Sequence, residues 1–286
     1  MTFQDALHNI RRIVRKEAEA EEIMIAAYRD LCGRRLTRIE LLLMAKEICP
    51  EQTAQRSLKI AQTRADGIPL QHLTGTQVFL ENEYAVGPDV LVPRPETELL
   101  VLAAIKELQG RVQSTPLFGI EIGIGSGAIA IELLVRFKNL RMIASELSDS
   151  AIKTAWENAR KILGDGVNQR LQILQVPVET SVCDVFTQKA DFLIGNPPYL
   201  KKDDPIENDV RLYEPSSALF APGDDPLFFY RKIAEESRDL LFSNAKVFLE
   251  ISEFRSTEIA SCFESLGWNV KIETDLNQRD RILIAH

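Results

Sequence analysis

The segment Asn196-Pro197-Pro198-Tyr199 combines residue types that could hold a planar amide or amine for reaction. It follows residues 190–195, an apolar run that predicts a buried strand, and its prolines end that strand because they donate no hydrogen bond to a sheet. The Asn196 side-chain oxygen and the Pro197 carbonyl could accept both N–H bonds of one –NH2 group, with Tyr199 covering its flat face. Such a grip would aim the nitrogen lone pair at an electrophile without a strong base. A proline-rich turn without chemistry is the alternative.

A glycine-rich segment, Gly123-Ile124-Gly125-Ser126-Gly127, indicates where the electrophile could bind. It joins a predicted strand to an apolar helix. Glycine at every second position lets the backbone approach a ligand, and the N-terminus of a helix favours negative charge. Dinucleotide enzymes use a related spacing with a further glycine where this chain has alanine. Spacing alone therefore leaves a nicotinamide cofactor open, and also a glycine turn that serves only packing.

Two acids follow predicted strands in the same way. Glu146 ends the predicted strand 141–146 and could accept hydrogen bonds from ribose hydroxyls. Asp184, within Cys183-Asp184-Val185-Phe186, follows the next predicted strand, and an acid beside an aromatic ring could hold an adenine. Each alone would be interpreted as a surface acid. Together they follow the strand ends in order, which is where open α/β sheets bind ligands.

The second part of the chain alternates predicted strands and helices, so we predict an α/β fold with a mostly parallel sheet covered on both faces. The predicted strands are 117–122, 141–146, 171–176, 190–195, 246–251, 270–275 and 281–286, with helices such as 149–163, 226–241 and 255–266 between them. The last two strands are too close in sequence for a parallel crossover and must be antiparallel. This predicts a seven-stranded sheet with one reversed strand. The strands before the glycine segment and before Asn196 should be neighbours.

Residues 1–76 are predicted to form a small all-α bundle without a catalytic group. Apolar residues at helical spacing indicate a first helix from Phe3 to Val14 and a second around Ile23. The third and fourth helices are predicted from Leu36 to Ile48 and from Glu51 to Asp66. A helical domain of this kind usually binds or positions something else.

Residues 77–98 are predicted to connect the bundle to the domain 99–286. The connector should contain a β-hairpin turning at Glu81-Asn82, followed by a stiff segment with two prolines. Thr97 is predicted to cap the helix that comes next. Arg94 and Glu96 are either solvated loop charges or one wall of the site.

Composition favours a two-domain globular protein of the cytosol. The 286 residues are 45% hydrophobic, without a transmembrane run or signal peptide, and the four cysteines are scattered without metal spacing. No metal is expected. The net charge of −8 is uneven, since residues 1–75 carry +2 and the remainder −10. This balance suits a protein partner better than naked duplex DNA. A monomer is the default expectation.

With these residues identified, the second domain resembles the Rossmann-like S-adenosylmethionine-dependent methyltransferases, and Asn196–Tyr199 resembles the motif of those acting on planar nitrogens. Val92-Pro93-Arg94-Pro95-Glu96-Thr97-Glu98 resembles the characteristic element of the HemK/PrmC family. That family methylates the side-chain amide of the glutamine in the Gly-Gly-Gln loop of class I peptide chain release factors. Its helical N-terminal domain, hairpin connector and length also match, so the similarity spans nearly the whole chain.

The resemblance implies a role for each motif, with S-adenosylmethionine as cofactor. The residues that would bind it are Gly123, Ile124, Gly125, Ser126, Gly127, Glu146, Asp184, Val185 and Asn196. Asn196, Pro197, Pro198 and Tyr199 would hold the substrate amide, with Arg94 and Glu96 lining the peptide site. Asn196, Pro197 and Tyr199 would be catalytic, and residues 1–76 would recognise the release factor.

Three positions depart from the family pattern, which often has Asp at Glu121, Thr at Ile124 and a larger aromatic at Val185. None removes a group that the chemistry needs, although Val185 implies looser packing on adenine. The implied reaction is direct methyl transfer to the amide nitrogen, which then releases a proton to water because no base is evident.

A DNA adenine or rRNA guanine methyltransferase using the same motif is the alternative. It would need a basic groove, which the sequence does not indicate. A binding module without activity is a third hypothesis, disfavoured because both motifs are intact.

Overall fold

The computed structural model describes residues 1–110, 116–178, 180, 185–186 and 188–286. These residues form two compact units. The first contains Met1–Thr76 and Ile206–Tyr213, and the second contains Gln77–Pro205 and Glu214–His286.

The described helices are α1 (Phe3–Val14), α2 (Glu17–Cys32), α3 (Arg38–Leu43), α4 (Glu51–Ala65), α5 (Leu70–Thr74), α6 (Pro95–Leu108), α7 (Ala128–Arg136), α8 (Asp149–Leu163), α9 (Asn208–Tyr213), α10 (Ser216–Leu219), α11 (Phe228–Leu240) and α12 (Ser256–Glu264). The described strands are β1 (Thr76–Phe79), β2 (Asn82–Ala85), β3 (Leu117–Ile122), β4 (Leu140–Glu146), β5 (Leu171–Gln175), β6 (Ala190–Gly195), β7 (Leu241–Glu250), β8 (Val270–Thr274) and β9 (Asp280–Ala285). None of the helices in the described part of the chain combines the length and the apolar composition of a transmembrane segment.

The first unit is the predicted helical bundle, to which α9 also belongs. The four predicted helices are present, and the short α5 was not predicted. The third is shorter than the predicted Leu36–Ile48, because a capping box between Thr37 and Glu40 starts it at Arg38. The helix ends at Leu43, and the residues of the next turn do not continue it. The carbonyls of Ala45 and Glu47 instead accept from the first backbone N–H groups of α1.

The second unit is built on a seven-stranded sheet in the order β5-β4-β3-β6-β7-β9-β8. Strand β9 is antiparallel to both β7 and β8, and the other pairings are parallel. The predicted sheet with one reversed strand is therefore confirmed. Strands β3 and β6 are neighbours as predicted, so the segments after Ile122 and Gly195 leave the same edge side by side. Strand β7 begins at Leu241, five residues earlier than the predicted 246–251, and pairs there with Ala190.

Side chains of the central strands alternate between two hydrophobic cores, one on each face of the sheet. Phe192 and Ile194 of β6 pack in one core, and Leu193 packs in the other. The Phe192 ring occupies the space beside β3 where a side chain on Gly119 would lie. This close fit holds β3 and β6 in the register that sets the positions of their C-terminal ends.

The connector forms the predicted hairpin, β1 and β2, but its turn was placed one residue too late. The turn residues are Leu80 and Glu81, and Leu80 has φ of +50°. The Leu80 N–H donates to the Glu98 carboxylate at 2.9 Å, which stabilises this unusual conformation. That partner lies 18 residues away, so the local turn pattern does not contain the signal.

Candidate active site

A cavity lies at the C-terminal edge of the sheet in the second unit. Its lining includes the predicted site residues Gly123, Ile124, Gly125, Ser126, Glu146, Asn196, Pro197 and Pro198. Residues Leu91, Pro93 and Thr97 of the stiff proline segment also line it. The strand order therefore brings the glycine loop and the Asn-Pro-Pro segment to one cavity, as the sequence predicted.

The glycine loop is shaped to receive a ligand at two of its three glycines. Gly123 and Gly125 have φ of +76° and +53°, and a Cβ atom on either would project into open space. Gly127 is required for packing, because a Cβ there would lie 2.8 Å from Ile131 Cδ1 and close to Ala155. Gly127 does not line the cavity but allows α7 to pack against α8. The prediction that it contacts a cofactor stays untested.

Glu146 fixes the loop from the end of β4. One carboxylate oxygen accepts from the Gly125 N–H at 2.9 Å. The other accepts from the backbone N–H groups of Leu147 and Ser148 at 2.8 and 3.0 Å. The oxygen that binds Gly125 accepts only one of these bonds and keeps acceptor capacity, and Glu146 lines the cavity, so this geometry fits a ligand with a hydroxyl group.

Asn158 also supports the loop and was not identified from the sequence. Its buried side-chain amide donates to the carbonyls of Ser126 and Ala85, and its oxygen accepts from the Ala85 N–H at 2.7 Å. It thereby joins the glycine loop to strand β2. The available signal was a polar residue on the alanine-lined apolar face of α8, formed by Ala151, Ala155 and Ala159.

The adenine side of the predicted site is described only in part. Asp184 lies outside the described residues. Val185 does not line the cavity and instead packs beside the hydrophobic core that contains Phe186. Lys232 of α11 lines the cavity and donates to the carbonyls of Val178 and Thr180 at 2.8 and 2.6 Å.

Asn196 is held by a partner on a different element. Its Nδ2 donates to the Thr97 hydroxyl at 3.2 Å, and that hydroxyl donates to the buried Glu250 carboxylate at 2.6 Å. The predicted role of Thr97 as helix cap is wrong, because the N-cap of α6 is Arg94 and the Thr97 hydroxyl is used by Glu250. No described residue donates to the amide oxygen of Asn196, which leaves that oxygen available for a ligand.

Tyr199 lies beside this network and not on the cavity lining. Its hydroxyl donates to the other Glu250 oxygen at 3.3 Å. Burial raises the pKa of Glu250 to about 7, and the charge of Glu96 adds to the rise. Hydrogen bonds from Thr97 and Tyr199 oppose it, as does the charge of Arg281. Glu250 was missed from the sequence because it lies within the predicted strand 246–251, which has the pattern of an ordinary buried strand.

Arg94 supports the proline segment by pairing with Glu214, whose side chain is almost fully buried. The two charged groups are 2.6 Å apart, and the second Glu214 oxygen accepts from the Val92 N–H at 3.1 Å. Glu96 is partly exposed in the first turn of α6. Neither Arg94 nor Glu96 lines the cavity, so their contact with a substrate stays a prediction.

Glu121 is a buried acid behind the glycine loop that takes no part in the lining. Neither of its oxygens has a hydrogen bond of normal geometry among the described residues. Burial raises the pKa of Glu121 well above its usual range, the Ala130 N–H opposes the rise, and the Glu146 charge adds to it. In the folded protein Glu121 therefore keeps a proton that it loses in the unfolded chain. Its contribution to the free energy of unfolding falls as pH rises above about 4.3, the pKa of an unperturbed glutamate.

We expect Glu121→Gln to be increasingly stabilised over the wild type as pH rises from about 5 to about 8. The amide cannot ionise, so the variant avoids the cost of taking up a proton on folding, which grows as pH rises. Each kcal/mol of this difference corresponds to about 2–4 °C in Tm. Thermal unfolding at both pH values measures the difference. Glu157→Gln, which changes an exposed carboxylate on α8, is the control. An equal pH dependence of Tm in Glu121→Gln and the wild type would contradict the prediction.

Solved structures with a similar fold include the catalytic domain of hMettl16 in complex with MAT2A 3'UTR hairpin 6. That chain has a TM-score of 0.54 and 18% sequence identity, covering 82% of this chain and 81% of its own. The complex with hairpin 1 gives a TM-score of 0.54 and 17% identity, covering 93% and 90%. These likenesses concern the fold alone. The sheet order, the glycine loop and the position of Glu146 define a Rossmann-like protein of the class I methyltransferase type.

Curated relatives narrow this class. A release factor glutamine methyltransferase of Enterococcus faecalis is 33% identical, over 86% of this chain and 85% of its own. Those of Bacillus cereus and Nitratidesulfovibrio vulgaris are 30% and 31% identical, over 88% and 99% of this chain and 88% and 96% of their own. No family model matches the chain. The chain belongs to the release factor glutamine methyltransferase family, which confirms the resemblance predicted from its motifs.

Proposed function

We propose that this protein transfers the methyl group of S-adenosylmethionine to the side-chain amide nitrogen of the glutamine in the Gly-Gly-Gln loop of class I release factors. One observation carries this proposal. Asn196 and Pro197 line the same cavity as the glycine loop and Glu146, so the proposed amide acceptors and the proposed cofactor-binding residues share one space. The names of the curated relatives support this substrate over a nucleic-acid base.

The proposed cofactor site uses groups that fit S-adenosylmethionine. The open space beside Gly123 and Gly125 would take its methionine end, and Glu146 would accept from its ribose hydroxyls. Asp184 and Val185 remain the proposed adenine residues. When bound, S-adenosylmethionine supplies an electrophilic methyl group on a positively charged sulfur.

The chain's own contribution to the reaction is to hold and orient the glutamine amide. Asn196 Oδ1 and the Pro197 carbonyl would accept its two N–H bonds, which turns the nitrogen lone pair towards the methyl group. A carbon–nitrogen bond forms as the carbon–sulfur bond breaks, and S-adenosylhomocysteine is the second product. The acceptors stabilise the positive charge on nitrogen before a proton is released to water. Pro198 and Tyr199 would shape the amide pocket, with Arg94 and Glu96 nearer the peptide.

The proposal also covers the role of the first unit, the oligomeric state and the location of the protein. Residues 1–76 would recognise the release factor, and the protein would act as a monomer in the cytoplasm, where translation terminates. Stable binding of nucleic acid is not part of the proposal. The proposed chemistry uses no metal, and within the described residues no cluster of three His, Cys, Asp or Glu side chains could hold one.

The test is transfer of radiolabelled methyl from S-adenosylmethionine to four acceptors. These are a class I release factor, the same factor with its loop glutamine changed to alanine, duplex DNA and rRNA. Label on the intact factor alone is the expected result. Label on DNA or rRNA, with none on the factor, would reject the substrate in favour of a base amino-methyltransferase with the same Asn196 chemistry.

A further inference from the structure

Three elements meet in a hydrogen-bonded chain behind the amide site. Asn196 follows β6, Thr97 lies in the first turn of α6, and Glu250 ends β7. Asn196 Nδ2 donates to Thr97 Oγ1 at 3.2 Å, and Thr97 Oγ1 donates to Glu250 Oε2 at 2.6 Å. Thr97 and Glu250 are 6% and 3% exposed, so water cannot readily replace either partner.

The direction of these bonds depends on the charge of Glu250. An ionised carboxylate accepts only, so the single proton of the Thr97 hydroxyl must point at it. The lone pairs of Thr97 can then only accept, and they take the Asn196 –NH2 group. The amide oxygen of Asn196 is left for the substrate.

We propose that Glu250, acting through Thr97, is a positioning residue that sets which end of the Asn196 amide faces the substrate. This inference rests on the proposed function, since it explains how the acceptor for the glutamine amide is kept in place. When Glu250 is protonated, it can donate to Thr97. The Thr97 proton is then free to donate to Asn196 Oδ1, which would turn the –NH2 group towards the substrate and remove the acceptor.

The surroundings of Glu250 place its change of protonation in a pH range that an enzyme assay can cover. Burial raises its pKa to about 7, and the Glu96 charge on α6 acts in the same direction. Arg281 on β9 and the hydrogen bonds from Thr97 and Tyr199 act against the rise. Tyr230 on α11 donates to the backbone carbonyl of Glu250 and leaves the carboxylate free for Thr97 and Tyr199.

A loss of the acceptor should affect turnover more than substrate binding. The Asn196 oxygen matters most when the amide nitrogen becomes positive, which happens only along the reaction path. For the wild type, kcat should therefore rise with pH as Glu250 ionises and then level off. This rise, the acidic limb of the pH profile, should be absent from a variant that cannot ionise at position 250.

The experiment measures kcat, KM for the release factor and their pH dependence from about pH 5.5 to 9. Thr97→Val removes the hydroxyl and should lower kcat by about tenfold, the scale of one or two hydrogen bonds, with KM changed by less than about twofold. Thr97→Ser keeps the hydroxyl and should restore most of kcat. Glu250→Gln should flatten the acidic limb. Thr53→Val is the matched control and should keep the wild-type kcat, because this buried threonine of the first unit has no hydrogen-bond partner for its hydroxyl among the described residues.

Equilibrium binding of S-adenosylhomocysteine checks that each variant keeps its cofactor site, because Thr97 acts on the amide side. This inference alone would be overturned if the wild-type enzyme labels the factor but Thr97→Val leaves kcat unchanged and Glu250→Gln leaves the acidic limb of the pH profile unchanged. Wild-type enzyme that labels no release factor would overturn the proposed function and this inference with it. A fall in kcat that Thr97→Ser does not rescue would show that the side chain acts by packing and would also overturn it.

Discussion

Replacing Asn196 with alanine is expected to lower kcat for methyl transfer to the release factor by about 10²–10³, the effect of removing one preorganised polar group from a transition state. The variant loses the side-chain oxygen that is proposed to accept from the substrate amide, while Pro197 keeps its carbonyl. Orientation of the nitrogen lone pair then depends on one acceptor. Steady-state transfer of labelled methyl at saturating S-adenosylmethionine measures the change.

The controls for Asn196→Ala separate chemistry from folding. Asn168→Ala changes an exposed asparagine just before β5, at the opposite edge of the sheet, and should keep wild-type turnover. S-adenosylhomocysteine affinity should fall much less than kcat in Asn196→Ala, because the variant loses one predicted cofactor contact while the glycine loop and Glu146 remain. Turnover within about twofold of the wild type would reject Asn196 as a catalytic residue.

Glu146→Ala is expected to weaken S-adenosylhomocysteine binding by about 100-fold. The carboxylate organises the backbone of Gly125, Leu147 and Ser148 and would accept from the ribose. One ribose hydrogen bond to a charged group contributes about 1.5–3 kcal/mol, and the loss of the carboxylate that organises the loop adds to it, which together account for about this factor. Isothermal titration calorimetry gives the dissociation constant directly.

Glu157→Ala is the matched control for this effect, since it removes an exposed carboxylate from α8 without touching the cavity. Its dissociation constant should equal that of the wild type. An affinity in Glu146→Ala within about threefold of the wild type would show that the ribose is held elsewhere and that Glu146 only shapes the loop.

The architecture and the position of the candidate site could both be predicted from the amino-acid sequence. Apolar runs gave strand positions such as Leu117–Ile122, and helical periodicity gave α8 at Asp149–Leu163 as predicted. The short connection before β9 required the antiparallel pair. Parallel strands end at the same edge, so the order of elements also placed Asn196 beside the glycine loop. These features depend on local periodicity and chain connectivity, which a sequence states directly.

The side chains that hold the site in place could not be predicted, because they come together only through packing between distant elements. Thr97 is 99 residues from Asn196 and 153 from Glu250, and Arg94 is 120 from Glu214. Thr97 has the local pattern of a helix cap, but the packing of α6 against the sheet brings its hydroxyl to a buried carboxylate instead. Packing between distant elements sets such contacts, and no local pattern encodes them. The sequence therefore indicates Asn196 as the proposed amide acceptor, and the fold supplies the buried hydrogen bonds that hold its side chain.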